Sequence, residues 1–273
     1  MCSEINILQK IIENKKRELE KDINPSQPSL KTKGRSKGEE KKSDLKKFKE
    51  IFKEKNASLI AEIKLASPKF DFRDKIDLEK LFEFYWKNSE IKAVSNLIDK
   101  KFFAWDIVRG KIFKEKYNKP IFFKEFVIDK KQIDQASYFW YDAILILERI
   151  LTEKKIKKFV KYSLKKNIFP IIEIDTKNWL KKIIPLSLAL SPKGRKGIKE
   201  LDFWIAINCR NLGTMEIDRK KHFKIYEKFE KILEKKLVFA FSWIDNLEQI
   251  KEYRWKFNWV LVGSYFMKNF INN

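Results

Sequence analysis

The stretch SLIAEIKLASPKFD, Ser58 to Asp71, decides the fold. Its first half is an apolar run interrupted by Glu62 and Lys64. These stand two residues apart, so in an extended strand both side chains leave on the same face. The second half, LASPKFD, has no glycine. An open doubly wound sheet would place a glycine-rich phosphate turn directly after its first strand. A closed barrel is therefore preferred, with Glu62 and Lys64 pointing into it.

The rest of the chain keeps the rhythm that this start implies. Eight β-rich runs alternate with longer charged stretches: Ser58 to Lys64, Ala93 to Ile98, Pro120 to Lys124, Ala143 to Leu147, Phe169 to Ile174, Phe203 to Asn208, Leu237 to Phe241 and Trp259 to Val262. Such alternation is what a parallel sheet of βα units produces. The 273 residues suit one α/β domain, a (β/α)8 TIM barrel with an N-terminal helical extension. The extension covers residues 1–57 and the barrel 58–273. In the extension, Ile5, Leu8, Ile11 and Ile12, followed by the charged stretch Lys15 to Lys21, predict an amphipathic helix. Residues 24–43, rich in Ser, Lys, Pro and Gly, predict a flexible insertion, and Asp44 to Lys55 a second helix. A second irregular stretch, 185–200, interrupts the barrel between its fifth and sixth strands. Its LSLALSPKGRKG echoes PSLKTKGRSKG at 28–38, which suggests two insertions of one repeated element at the surface, where long loops cost little.

Composition narrows the partners. A formal net charge of +23 raises the question of nucleic acid. The lysines are spread over nearly every helical stretch, whereas a polynucleotide site concentrates its charge on one face. The charge is read as background that also attracts an anionic substrate. No run approaches the roughly 18 apolar residues of a membrane span, and the first helix lacks the apolar centre of a signal peptide, so a cytoplasmic location is expected. Cys2 and Cys209 lie almost the whole chain apart, which argues against a disulfide framework and against a metal cluster. The lone histidine, His222, sits among lysines and is expected to be a solvated surface residue.

Barrel enzymes place their reacting groups at the C-terminal ends of the strands. Here those ends carry Glu62 and Lys64 on the first strand, Lys124 on the third, Glu173 on the fifth, and Asn208 followed by Arg210 on the sixth. Any one of them alone would read as a solvated charge. Together they interrupt apolar runs at positions that open onto one mouth, and inward Glu and Lys are costly unless they are paired for a purpose.

These motifs carry a resemblance. LIAEIKLASP, Leu59 to Pro68, is similar to the I-A-E-I-K-x-A-S-P signature of the indole-3-glycerol phosphate synthases. LIDKKFF, PIFFKEFVIDKKQI, DAILILERIL, IIEI, INCRNLGTMEID and LVGSYFM resemble further family segments in the family's order, and ILQKIIENKKRELE resembles its N-terminal extension. The resemblance implies a carboxy-lyase of tryptophan, hence aromatic amino-acid, biosynthesis. Its reaction converts 1-(2-carboxyphenylamino)-1-deoxyribulose 5-phosphate to indole-3-glycerol phosphate by ring closure, decarboxylation and dehydration. No cofactor and no metal are implied. The partner is a small phosphorylated substrate, and the chain is expected to be a monomer, free or associated with other enzymes of the pathway.

Carried over by motif, Lys124 corresponds to the general acid and Glu173 to the general base. Lys64 corresponds to a substrate-binding lysine that shares the acid role, and Glu62 to the group that orients the lysines. Asn208 and Arg210 match the anthranilate end. Phe103, Phe126, Leu145, Leu212 and Leu261 match apolar walls, and Ser67, Ser242, Gly263 and Ser264 match phosphate contacts. The chain departs from the pattern after its seventh strand. There AFSWI puts Phe241 where the family has a carboxylate and Trp243 where it has a glycine. Lys69 and Phe70 replace small residues, and Tyr141 stands in place of an alanine.

Overall fold

The computed structural model describes residues 7–21, 45–52, 58–67, 70–72, 74–99, 101, 103, 106–174, 183, 202–211, 216–233, 236–241, 244, 246, 248–253 and 256–272. Both expected insertions, 24–43 and 185–200, lie outside the described residues. Eight strands close a parallel barrel: β1 (Ser58–Ile63), β4 (Ile91–Leu97), β5 (Ile121–Lys124), β6 (Ala143–Leu147), β7 (Phe169–Ile174), β8 (Trp204–Asn208), β9 (Val238–Phe241) and β10 (Trp259–Val262). Each pairs in parallel with its sequence neighbours in the barrel, and β10 pairs back to β1. The first βα loop holds a small ribbon that sequence did not suggest, β2 (Ala66–Ser67) antiparallel to β3 (Phe70–Asp71).

Helices return the chain between strands: α3 (Leu78–Lys87), α4 (Ile107–Tyr117), α5 (Lys130–Tyr138), α6 (Glu153–Lys165), α7 (Lys220–Lys228), α8 (Glu230–Leu233), α9 (Glu248–Tyr253) and α10 (Ser264–Asn272). The starts of α3 to α6 are fixed by Asp77, Asp106, Asp129 and Thr152, whose side-chain oxygens accept from otherwise unpaired first-turn N–H groups.

The two-residue alternation of the strands sorts the core into two clusters. Leu59, Ala61 and Ile63 of β1 face the helices, together with Val94, Phe123, Ile144, Ile146, Ile205 and Ile207. Ile60 joins Ala93, Phe122, Leu145, Ile171, Ala206, Phe239 and Leu261 in the barrel interior. Tyr141 belongs to the outer cluster. Its hydroxyl accepts from Asn96 Nδ2 and donates to the carbonyl of Ile107, both at 3.0 Å, and a Cβ on Gly110 would come within 2.2 Å of it. The bulk of Tyr141 is thus matched by a helix glycine behind the barrel wall.

The N-terminal helices close opposite ends of the interior. On α2 (Leu45–Ile51), shorter than the expected Asp44 to Lys55, Phe48 stacks on Trp204 at 5.3 Å. Phe52, just beyond, lies 4.1 Å from Trp259 and accepts a hydrogen bond from its indole N–H at 3.1 Å. Trp204 and Trp259 begin their strands, so these rings stopper the N-terminal mouth. The first helix, α1 (Ile7–Lys21), lies at the other end. Its Lys15, expected within a charged solvent-facing stretch, is buried, with Nζ 3.0 Å from Asp99 Oδ2 and 2.9 Å from Glu125 Oε2, just past the ends of β4 and β5. Burial alone would lower its pKa, but Glu125 and Asp99 outweigh that and hold it above the ordinary lysine range. Burial pushes Glu125 up to about 7 against the pull of Lys15.

His222 is not the surface residue expected: it is 1% exposed. On α7 it shares a face with buried Ile225 and Tyr226, three and four residues on, a helical spacing that outweighs the lysines around it. Nε2 lies 2.9 Å from the carbonyl oxygens of both Ile207 and Phe241, and Nδ1 lies 3.1 Å from the Tyr253 hydroxyl. Carbonyls only accept, so Nε2 carries the proton and Nδ1 accepts from Tyr253.

Two stability predictions follow from these buried charges. Lys15→Met leaves two buried carboxylates without their cation and should cost about 3 kcal/mol or more in urea denaturation. The loss should be larger at pH 8 than at pH 5, where carboxylate protonation relieves it, and equal losses would refute the ion cluster. For His222, burial lowers the pKa from 6.5 to about 4. A depressed folded-state value means that its contribution is complete above the unfolded pKa and is lost as pH falls toward 4. Between pH 7 and pH 4.5 the wild-type midpoint should therefore fall more steeply than that of His222→Gln.

Candidate active site

Strand alternation continues from the apolar layers to the polar ones. Inside β1, Ile60 is followed by Glu62, and Lys64 comes next beyond the strand end. Inside β5, Phe122 is followed by Lys124; inside β7, Ile171 by Glu173; inside β8, Ala206 by Asn208; inside β9, Phe239 by Phe241. Stepping two residues toward each strand's C-terminus thus carries the interior from packed hydrocarbon to a ring of functional groups, apart from Phe241.

Glu62 is the centre of one group. It is 5% exposed, bonds Lys124 Nζ through Oε1, and places Oε2 3.9 Å from Lys64 Nζ. Lys64 in turn lies 3.4 Å from Ser264 Oγ at the start of α10. Burial alone would raise the Glu62 pKa, but Lys124 and Lys64 outweigh it and hold the carboxyl below its usual range, so Glu62 is anionic. Lys64 moves down: burial is the main cause, Lys124 and Arg210 add to it, and Glu62 opposes it. A lysine displaced in this sense gives up its proton more readily than a solvated one.

A second group forms across the barrel. Glu173, 4% exposed, accepts from Asn208 Nδ2 at 2.8 Å, and Asn208 Oδ1 accepts from the backbone N–H of Arg210 at 2.9 Å. That contact fixes the turn by which the chain leaves β8. The turn is braced by the Arg210 to Ile217 bridge and by a bond from Arg149 Nη1 to Asn211 Oδ1 at 3.1 Å.

Phe126, Leu145 and Leu261 are buried in the interior cluster and Phe103 packs against it. Gly263 lies against Glu62: a Cβ there would stand 2.8 Å from Oε2. Leu212, Lys69, Ser242 and Trp243 lie outside the described residues, as do the side chains of Ser67 and Phe70. Phe241 is 1% exposed, meets Phe239 edge to face at 6.2 Å, and has Lys124 Nζ 5.6 Å from its ring centroid. The ring offers its negative face to the ammonium.

Sequence reading missed Ser95. It is level with Glu62 and Phe122 in the sheet register, is fully buried, and has no hydrogen-bond partner for its hydroxyl among the described residues. The alternation from Ala93 could have found it. Glu125 was also passed over, because its partner Lys15 is more than a hundred residues distant and nothing local announces the pairing. Among the described residues no cluster of three or more His, Cys, Asp or Glu could hold a metal, and no helix is long and apolar enough to cross a membrane.

The family model for indole-3-glycerol phosphate synthase matches residues 8–271. The indole-3-glycerol phosphate synthase of Bacillus cereus (strain G9842) is 32% identical over 245 residues, 89% of this chain and 85% of that protein. That of Bacillus thuringiensis (strain Al Hakam) is 32% identical over 194 residues, 71% of this chain and 70% of that one. Among solved structures, a mutant tryptophan synthase α-subunit from Pyrococcus furiosus aligns with TM-score 0.54 at 14% identity, covering 81% of this chain and 92% of that one. The Legionella pneumophila str. Paris tryptophan synthase subunit alpha aligns with TM-score 0.55 at 11% identity over 84% and 87%. These two are alike in fold only. The match across both the N-terminal helix and the whole barrel is different in kind, and by it the chain belongs to the indole-3-glycerol phosphate synthase family.

Proposed function

We propose that the chain is an active indole-3-glycerol phosphate synthase, converting 1-(2-carboxyphenylamino)-1-deoxyribulose 5-phosphate to indole-3-glycerol phosphate with loss of carbon dioxide and water. The observation that carries this reading is the Glu62 carboxylate between Lys124 and Lys64, facing the Glu173 and Asn208 pair inside one mouth. The reaction needs an acid where oxygen leaves and a base where a ring proton is removed, held apart so that they do not neutralise each other. Lys124 is assigned as the acid that assists departure of the ribulose-derived oxygen, with Glu62 orienting it. Glu173, aimed by the Asn208 amide, is assigned as the base. Lys64 binds substrate and shares the acid role, in keeping with its lowered pKa.

Arg210 and Asn208 are assigned to the anthranilate carboxylate, for which a guanidinium is the natural partner. Phe103, Phe126, Leu145, Leu212 and Leu261 enclose the ring. Gly263 and Ser264 offer a helix N-terminus to the phosphate, with Ser67 and Ser242 as further contacts. Support for the phosphate end is the 3.4 Å approach of Lys64 to Ser264, which brings a cation to that helix start.

One observation favours a second reading, an impaired or repurposed barrel: Phe241 occupies the interior beside Lys124 where the family carries a carboxylate. A fluorescence assay for indole-3-glycerol phosphate separates the two. The wild type should turn over and Lys124→Ala should lose at least about a hundredfold in kcat. No turnover by the wild type, with activity gained in Phe241→Glu, would establish the impaired barrel instead. A further expectation concerns Gly263→Ala, whose Cβ would displace the Glu62 carboxylate and with it both lysines. Its kcat should fall about tenfold with an unchanged circular dichroism spectrum, and unchanged kcat would show that the Glu62 position is not critical.

A further inference from the structure

Among the buried titratable groups, His222 is outside the acid and base machinery and yet bonded to its scaffold. It reaches from α7, behind the barrel wall, to two adjacent strands at once. The carbonyl of Ile207 belongs to the residue before Asn208, and the other carbonyl is that of Phe241 itself. Asn208 and Phe241 are register partners, the last pair of the β8 and β9 ladder among the described residues. One shared N–H therefore fixes the spacing of two strand ends. On the barrel side of those ends stand the amide that holds Glu173 and the ring beside Lys124.

We propose that His222 is a positioning residue of this site: its Nε2–H, shared between the Ile207 and Phe241 carbonyls, sets the separation of the β8 and β9 ends and so the places of Asn208 and Phe241. Tyr253 is the second part of the device. Its hydroxyl donates to Nδ1 and so keeps the proton on Nε2, where both carbonyls need it. A purely space-filling role would be met by any apolar side chain of similar size. The bonding of both ring nitrogens asks for more, because an apolar replacement takes a donor from both carbonyls, of which that of Phe241 keeps the Cys209 N–H, and takes the acceptor from a buried phenol.

The functional consequence rests on the synthase reading, so the test has two arms. In the first, the full-length wild type, His222→Gln, His222→Ala and Tyr253→Phe are compared in kcat and KM well below each protein's own melting temperature. His222→Ala should lose about tenfold or more in kcat. His222→Gln, whose carboxamide N–H groups can serve both carbonyls, should recover most of it, and Tyr253→Phe should fall between them. If His222→Ala keeps kcat and KM within twofold, or if the glutamine rescues nothing, the positioning role is overturned. The second arm needs no turnover. Amide hydrogen exchange in His222→Ala should quicken at Cys209, whose N–H bonds the Phe241 carbonyl, while the ends of β4 and β5 stay as in the wild type. A wild type without turnover but with this local quickening defeats the synthase reading and leaves the strand clip standing. Unchanged exchange at Cys209 defeats the clip whatever the activity.

Discussion

The bond between the Glu62 carboxylate and Lys124 is the interaction on which the polar half of the barrel depends. An ammonium taken out of water costs several kcal/mol, and a barrel interior returns that cost only where an opposite charge stands within reach. Here Glu62 serves two ammonium groups. The rest of the mouth is arranged around the resulting shortage. Lys64 turns its ammonium toward Ser264 and loses part of its hold on the proton, and Glu173 is satisfied by the neutral amide of Asn208. Among the described residues, three cationic side chains, Lys64, Lys124 and Arg210, thus share the mouth with two carboxylates, Glu62 and Glu173. This balance favours an anionic ligand, in keeping with the proposed phosphorylated substrate.

Such a mouth needs a rigid floor, because a shift of about 1 Å in one of these groups is enough to spoil a proton transfer. The N-terminal mouth provides it with rings. Phe48, Phe52, Phe169, Trp204, Phe239 and Trp259 fill that end with contacts between neighbouring centroids of 4.1 to 6.5 Å. Within the barrel interior these six rings form the floor and the charges stand at the opposite end, with Ile60, Ala93 and Ile171 between. The α1 helix then brings a second buried ion cluster to the rim, where Lys15 binds the residue directly after Lys124. The strand end carrying Lys124 is held from inside by Glu62 and from outside, through Glu125, by the N-terminal helix.

Most of the barrel could be read from sequence because period-two alternation is a local property. Three of the eight strands have the expected limits and the other five differ from them by a residue or two, and Glu62, Lys64, Lys124, Glu173 and Asn208 continue the inward alternation of their strands. What could not be read depends on partners far along the chain. Lys15 looks like any surface lysine until Asp99 and Glu125 are brought to it. His222 was misjudged because the adjacent lysines were weighted above its helical spacing to Ile225 and Tyr226. Tyr141 stands in the sequence as a bulky residue with no local partner, and its seat lies in the missing side chain of Gly110, more than thirty residues back. The ribbon of Ala66–Ser67 with Phe70–Asp71 is too short for periodicity to reveal.

Phe241 joins these two kinds of information. From sequence it is a lost carboxylate; in the barrel it is also the next step of an aromatic column, edge to face on Phe239 and buried as deeply as the floor beneath it. A carboxylate there would have completed the charge balance of Lys124, at the expense of burying another anion. The ring does less electrostatically, since a cation over an aromatic face is worth about 0.5 to 2 kcal/mol, below a buried and hydrogen-bonded ion pair. Among the described residues Lys124 is thus bound to the Glu62 carboxylate with an aromatic ring beside it. Glu62 therefore carries the placing of Lys124, and Gly263, where a Cβ would stand 2.8 Å from Oε2, leaves its carboxylate a close seat.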